Sequence, residues 1–387
     1  MMKRARKSRA LSRVAGDELR VPLFRPYVAA DTSAALGEVL VSGQLAAGPK
    51  VAEFEHALGE TIGNKHCIAT SDRSGALTLA LNLAGVGPGD EVLMSPLVCL
   101  ATSMPVANQF ARPVWCDIDA NTGMLSPADV ARRITPKAKA IVLYHWAGDV
   151  GPLEELSVLA HRHGLALIDD ASAAFGAEYH GVRLGNTVAD FTVLSFYAAN
   201  HLAAAEGGAL FCHDAAHYEA GRWRKRYGIH QPTFRLANGD LNPASDIPVA
   251  GYNFAMTNLT AALALSQLKT SQAVVSRHQE NGRYFEQALR GIAGIRHLQR
   301  ADYAKSAYWV YALRADRRAA LIAKLHAHGV GAQRLHLRND RYTCFKSPAF
   351  ELREVSRFDD DNLCIPCGWW VDDIARERII DCLRTGW

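Results

Sequence analysis

From about residue 50 the chain alternates between two hydrophobic rhythms. Residues 51–58 carry apolar positions at helical spacing and predict an amphipathic helix. Cys67–Thr70 is a short apolar run of strand length, and a helical pattern follows over 76–84. The rhythm then repeats. Strands are predicted at 91–95, 113–118, 140–144, 166–168, 191–195 and 209–211. Helices are predicted at 102–109, from Pro127 behind a Ser126 cap, and at 152–163. Strand and helix in alternation imply parallel crossovers, hence a central sheet covered by helices.

Past residue 215 the pattern changes. Residues 222–228 are basic and aromatic, and 238–248 are rich in Gly, Asn, Pro and Asp and predict a loop. Two long helices are predicted at 259–268 and 273–289. Shorter patterns at 308–313, 317–326 and 374–383 predict a smaller α+β unit. The expected organisation is a basic tail over 1–20, a large domain over 21–250 and a small C-terminal domain over 251–387.

Composition changes this picture little. Of 387 residues, 49% are hydrophobic and 21% charged, which is ordinary globular content. No apolar run reaches the ~20 residues of a membrane span. The formal net charge of +4 is a tail effect, because the first 20 residues carry a net +5 and leave the body near neutral. Such a body is not an electrostatic nucleic-acid binder. The tail has no apolar stretch of the secretory kind, so a cytoplasmic protein with reduced thiols is expected. Cys364 and Cys367 have redox or half-zinc spacing. No second ligand pair accompanies them, so no metal site is expected.

Ligands of helix-covered parallel sheets sit beyond the carboxyl ends of the strands. The informative residues are therefore expected just after each apolar run. Ser71-Asp-Arg-Ser-Gly75 opens a helix, where hydroxyls and free N–H groups make a seat for an anion. Asp169 and Asp170 end a strand, where a carboxylate can pair with a ring nitrogen, bind a metal or hold a loop. Ser195-Phe-Tyr-Ala-Ala-Asn-His-Leu-Ala-Ala-Ala-Glu-Gly-Gly208 runs from one strand end through a turn to the next strand. His201 within it invites the reading of a catalytic base.

At this point the residues carry a resemblance over nearly all of 21–383. The chain resembles the DegT/StrS family of sugar aminotransferases, pyridoxal-phosphate (PLP) enzymes of fold type I. The matching segments, in family order, include Gly48-Pro-Lys-Val-Ala-Glu-Phe-Glu55, Gly85-Val-Gly-Pro-Gly-Asp-Glu-Val92 and Pro113-Val-Trp-Cys-Asp-Ile-Asp119. Asp169-Asp-Ala-Ser-Ala-Ala-Phe-Gly176, the block from Ser195, and Asp246-Ile-Pro-Val-Ala-Gly-Tyr-Asn-Phe-Ala-Met256 follow. The resemblance implies a large domain with a mostly parallel central sheet flanked by helices, plus a smaller C-terminal α+β domain. It also implies roles. Asp170 would pair with the pyridine nitrogen of PLP. Ser74, Gly75 and Ser195 would hold its phosphate, and Asn253 would reach the phosphate of a neighbouring subunit across a dimer interface.

The departures are equally specific. The Schiff-base lysine of the family falls on Asn200, and an amide can neither form an imine nor act as the general base. A family glycine beside the phosphate falls on Arg73, and the aromatic that stacks on the ring falls on Cys99. Ala173 and Ala255 replace further polar positions. The expected function is a family homologue in nucleotide-sugar, surface-polysaccharide or natural-product sugar metabolism that does not transaminate through a lysine imine. It would be a sugar-binding pseudoenzyme, or the partner subunit of a catalytic relative. One alternative is a dehydratase-type enzyme with non-covalent PLP or PMP and His201 as base. The other is an aminotransferase using another lysine, such as Lys225. Binding of PLP or PMP without a covalent link and no cofactor at all stay equally open. The expected partners are a nucleotide-linked sugar and a second subunit, as a homodimer or a heterodimer. Neither nucleic acid nor membrane is expected.

Overall fold

The computed structural model describes residues 20–345 and 347–387. The basic tail, apart from Arg20, lies outside the described residues. Seven strands form the main sheet: β1 (Cys67–Thr70), β2 (Glu91–Met94), β3 (Arg112–Trp115), β4 (Ala138–Tyr144), β5 (Ala166–Asp170), β6 (Phe191–Ser195) and β7 (Gly208–Cys212). Their spatial order is β1-β7-β6-β5-β4-β2-β3. Only β7 runs against the rest, pairing antiparallel with both β1 and β6. The other neighbours pair in parallel.

Continuous apolar strands follow from burial on both faces. Alternate residues of β2 enter opposite cores, Val92 and Met94 on one side and Leu93 on the other. The same alternation separates Val142 from Ile141 and Leu143 in β4. Helices α1 (Thr32–Ser42), α2 (Pro49–Ile62), α3 (Arg73–Leu83), α4 (Leu100–Asn108), α5 (Pro127–Arg133), α6 (Leu153–His163) and α7 (Ala215–Arg224) connect and cover these strands. Helix α5 begins as its sequence predicts, with the Ser126 hydroxyl accepting from Asp129 N and Pro127 in the first turn.

The two helices expected over 259–289 are one. Helix α8 (Asn258–Ala288) runs unbroken through the polar stretch at 269–272. That stretch holds neither Gly nor Pro. Thr270 and Ser271 turn their hydroxyls back onto the carbonyls of Gln267 and Leu268, which keeps them inside the helix. Helix α8 packs on α1 and α2 at its start and reaches the small C-terminal sheet at its end. That sheet contains β8 (Ile295–His297), β9 (Tyr311–Ala315) and β10 (Asn362–Ile365), all antiparallel. Helices α9 (Arg318–Ala327), α10 (Arg353–Asp361) and α11 (Asp373–Arg384) complete the chain. The segment after Arg20 is held by this part of the molecule. Val21 bridges to Val330, and the indoles of Trp369 and Trp370 donate to the carbonyls of Arg25 and Pro22. The tandem tryptophans are thus packing residues for the chain's own first segment. Among the described residues, no helix is long and apolar enough to cross a membrane.

Buried histidines make this fold sensitive to acid. Burial pushes His278 down to about 4, and His201 falls well below the usual range through burial and the facing His278 ring. An unfolded histidine takes a proton below about pH 6.5. The folded protein takes none at His278 until about 4. Unfolding therefore absorbs protons as the pH falls. The stability that the neutral rings contribute is complete above about pH 6.5 and is lost on the way down, at about 1.4 kcal/mol per pH unit for each such ring. Urea unfolding should show a falling midpoint between about pH 7 and about pH 5, and the slope should be shallower in His278→Gln. A flat profile over that interval contradicts the assignment.

Candidate functional site

A cavity of about 720 Å³ opens at the carboxyl ends of β1, β5 and β6. Four sequence-predicted residues line it: Ser74, Cys99, Ser195 and Asn200. Asp170 lies beneath the floor, fully buried. Gly75, His201 and Asn253 are not part of the lining.

Asp170 organises the floor. Its Oδ2 accepts from Arg73 Nη1 at 2.8 Å and from Thr102 Oγ1 at 2.7 Å. Its Oδ1 accepts from the backbone N of Ser172 at 3.2 Å and from the Ser172 hydroxyl. Arg73 Nη1 also reaches Thr102 Oγ1 at 2.7 Å. A carboxylate offers about four acceptor sites, and four donors fill them. Arg73 is the first residue of α3 and is only 8% exposed, so its side chain runs from the helix N-terminus down to the end of β5. Burial and the Arg73 guanidinium push the neighbouring His336 down to about 3. That ring is therefore neutral, and its Nε2 lies 3.0 Å from the Tyr144 hydroxyl.

The N-terminus of α3 forms one wall. Asp72 caps it, accepting from Gly75 N at 2.8 Å on one oxygen and from the Ser71 hydroxyl at 2.9 Å on the other. The wall is held tightly against β7. A Cβ on Gly208 would lie 2.6 Å from Asp72 O and 2.8 Å from Arg73 Cα, so this close approach needs glycine. The opposite rim is aromatic. Phe24 stacks on Trp309 with centroids 4.8 Å apart, and Trp309 Nε1 donates to Ala199 O at 2.7 Å. Asn200 Nδ2 donates to Ser195 O at 3.1 Å, folding the turn back on its strand.

The geometry corrects the reading of His201. It is 2% exposed, its Nε2 lies 3.0 Å from Ala307 O, and its ring packs on His278 with centroids 4.5 Å apart. Adjacency to Asn200 in sequence does not bring it to the cavity. Lys225 is also elsewhere. Its ammonium holds Glu55 Oε1 at 2.6 Å, outside the lining. Asn253 is exposed on the strand-like segment that pairs with Arg226. Cys364 and Cys367 are buried free thiols, and among the described residues no cluster of metal-ligand type is found. Sequence reasoning missed Thr102, Ser172, Tyr144 and Trp309. Thr102, Tyr144 and Trp309 stand at the edges of predicted elements and Ser172 in the turn past one, where a strand-end argument can find candidates without ranking them.

A doubly covered, mostly parallel sheet with its cavity at the strand ends and a small domain beside it is the architecture of the PLP-dependent sugar aminotransferases. The model of the DegT/DnrJ/EryC1/StrS aminotransferase family matches residues 26–384, and the chain belongs to that family. It is 31% identical over 304 residues to the spore coat polysaccharide biosynthesis protein SpsC of Bacillus subtilis (strain 168), over 79% of this chain and 78% of SpsC. The crystal structure of the sugar aminotransferase CalS13 from Micromonospora echinospora matches with a TM-score of 0.90 at 32% identity, over 95% of this chain and 100% of that one. AtS13 from Actinomadura melliaura matches with a TM-score of 0.89 at 32% identity, over 95% and 99% of the two chains.

The family's cofactor does not fit the residues present. An imine needs a lysine, and among the described residues the lining contains none. A protonated pyridine nitrogen needs a free acceptor on Asp170, and all four are taken. A phosphate at the α3 N-terminus needs the Gly75 N–H, and the Asp72 carboxylate already holds it.

The Arg73–Asp170 pair should be a stability determinant in its own right. Removing one partner of a buried ion pair strands the other charge, at a cost of about 3–5 kcal/mol. Arg73→Ala should lose stability on that scale in urea unfolding, and Arg73→Ala/Asp170→Asn should recover part of it. A loss of Arg73→Ala no greater than about 0.5 kcal/mol, the level of an ordinary surface change, contradicts the assignment.

Proposed function

We propose that this chain serves sugar metabolism without transaminating. It binds a nucleotide-linked sugar in the cavity above Asp170 as a pseudoenzyme of its family. The observation that carries the reading is the cavity wall itself: Asn200 stands at the position that the resemblance gives to the imine lysine, and among the described residues no lysine lines the cavity. The relatives named for spore coat polysaccharide biosynthesis and for sugar aminotransfer support the substrate class. The aromatic rim of Phe24 and Trp309 supports a sugar ring, because flat apolar faces with polar edges suit its hydroxyls and C–H groups. A dehydratase reading loses its base with His201 buried away from the cavity, and Lys225 is committed to Glu55.

A second reading, a subunit that completes a catalytic relative, draws on a different surface. Asn253 is exposed, and the nearby loop presents Tyr227, Leu241, Ile247 and Val249 to solvent. Apolar groups gathered in this way mark partner surfaces.

The test is a cofactor and turnover assay on the purified protein. After incubation with PLP or PMP and gel filtration, no cofactor absorbance should remain, and borohydride should fix no adduct. With PLP, an amino donor and keto-sugar nucleotides, no amino sugar should form. Calorimetry with UDP- and dTDP-linked sugars should give saturable heat. Amino-sugar formation overturns the reading. Silence across the sugar panel moves the function to the partner subunit.

A further inference from the structure

We infer that Arg73 and Asp72 are resident occupants of the family's cofactor seat, and that they, rather than Asn200, keep the cofactor out. This deepens the proposed function and rests on it. A phosphorylated pyridine needs two poles in such a cavity, an anion seat at a helix N-terminus and a carboxylate beneath the ring nitrogen. Both poles are here joined by one side chain. Arg73 leaves the first position of α3 and ends 2.8 Å from Asp170 Oδ2. Its guanidinium supplies the cation that a pyridinium would present to that carboxylate. Its methylene stem lies along the path between the poles.

Asp72 does the same for the phosphate. Its carboxylate accepts the Gly75 N–H and is held by the Ser71 hydroxyl, so an anion is already built into the seat. A phosphate arriving there meets the Asp72 carboxylate, with Glu206 also on the lining, while the Arg73 charge is already matched by Asp170. Retreat of the backbone is blocked, because Gly208 lets β7 lie directly against Asp72 and Arg73. Asn200 stands aside from this. It is half-buried on the wall and bonded to Ser195 O.

The occupants also set what the cavity takes instead. Both Arg73 bonds to Thr102 and Asp170 leave from Nη1, so among the described residues Nε and Nη2 remain as donors for a ligand oxygen. With Asp72, Glu206 and Trp309 all on the lining, the chemistry suits a neutral hydroxyl-bearing ring with no phosphate at the α3 end.

The experiment compares the wild type with Asn200→Lys, Asp72→Ser/Arg73→Gly, and the triple variant, using PLP and PMP as probes. Serine at 72 keeps a good cap. The wild type and Asn200→Lys should retain neither probe, and borohydride should fix no PLP on Asn200→Lys. Asp72→Ser/Arg73→Gly should bind PMP at least about tenfold more tightly than the wild type, and PMP should raise its melting temperature as a cation returns to Asp170. The triple variant should form a borohydride-fixed PLP adduct. Asn200→Lys changes a half-buried wall residue and leaves the ion pair intact, so its result stands even where the other variants fold poorly. A PLP adduct on Asn200→Lys alone overturns the inference and leaves the proposed function standing. A folded triple variant that stays empty also overturns it. Transamination by the wild type overturns both.

Discussion

A carboxylate at zero exposure must find a cation or many donors, and Asp170 has both. The ion pair with Arg73 is the interaction on which the rest of the site depends. It joins the end of β5 to the start of α3, and Thr102 brings in α4. Ionised groups in the interior are tolerated only when such partners replace water. Burial, with a smaller contribution from the same pair, sets the charge of its neighbours. His336 is held neutral beside the guanidinium, and the Tyr144 phenol is pushed well above its usual range by burial and by the Asp170 charge. The cavity therefore presents uncharged aromatic donors and acceptors together with the carboxylates of Asp72 and Glu206.

Helix termini usually invite anions, and this one is no exception in kind. Its anion is Asp72, supplied by the chain itself. A side-chain cap and a bound phosphate compete for the same N–H groups, and a covalently tethered competitor has no entropy of association to overcome. On the proposed reading two adjacent residues thus fill both poles of the cavity, while the fold around them stays that of the family, with a TM-score of 0.90 to CalS13. Fold similarity and site similarity are separable, and on the proposed reading they part at residues 72–73.

Much of the fold was legible because period and burial coincide. Strands of four to seven apolar residues, turns at Gly85 and Gly89, and the Ser126-Pro127 start all read directly from the chain. The single helix α8 did not, because a polar stretch was weighed as a break although no helix-breaking residue stood in it. The site was legible at Asp170, Ser195, Ser74 and Asn200, which follow strand ends. His201 misled because a turn places neighbours in sequence on opposite sides of the wall. The contact between Arg73 and Asp170 spans 97 positions. Local pattern carries no information about such a pairing. An arginine in place of a small residue marked the position, but only the fold shows where its guanidinium ends.

If the chain does without the cofactor, as proposed, the position of that guanidinium bears on how a family member parts from it. In a protein whose buried carboxylate is matched only by a bound ligand, stability follows ligand concentration through mass action. An empty site then leaves a stranded charge. An arginine that matches the carboxylate from within removes this dependence, since the partner is present at every concentration. On the proposed reading of Asn200 as the family's lysine position, once the charge is matched internally the lysine has no structural task left, and an amide bonded to the Ser195 carbonyl serves the turn as well. On this argument the order of change matters. Loss of the lysine first leaves a site that still needs its ligand for stability. Gain of the arginine first leaves a stable fold in which the lysine faces an occupied seat. The second order passes through no state with an unpaired buried charge, and it is the one that the physics of Asp170 favours.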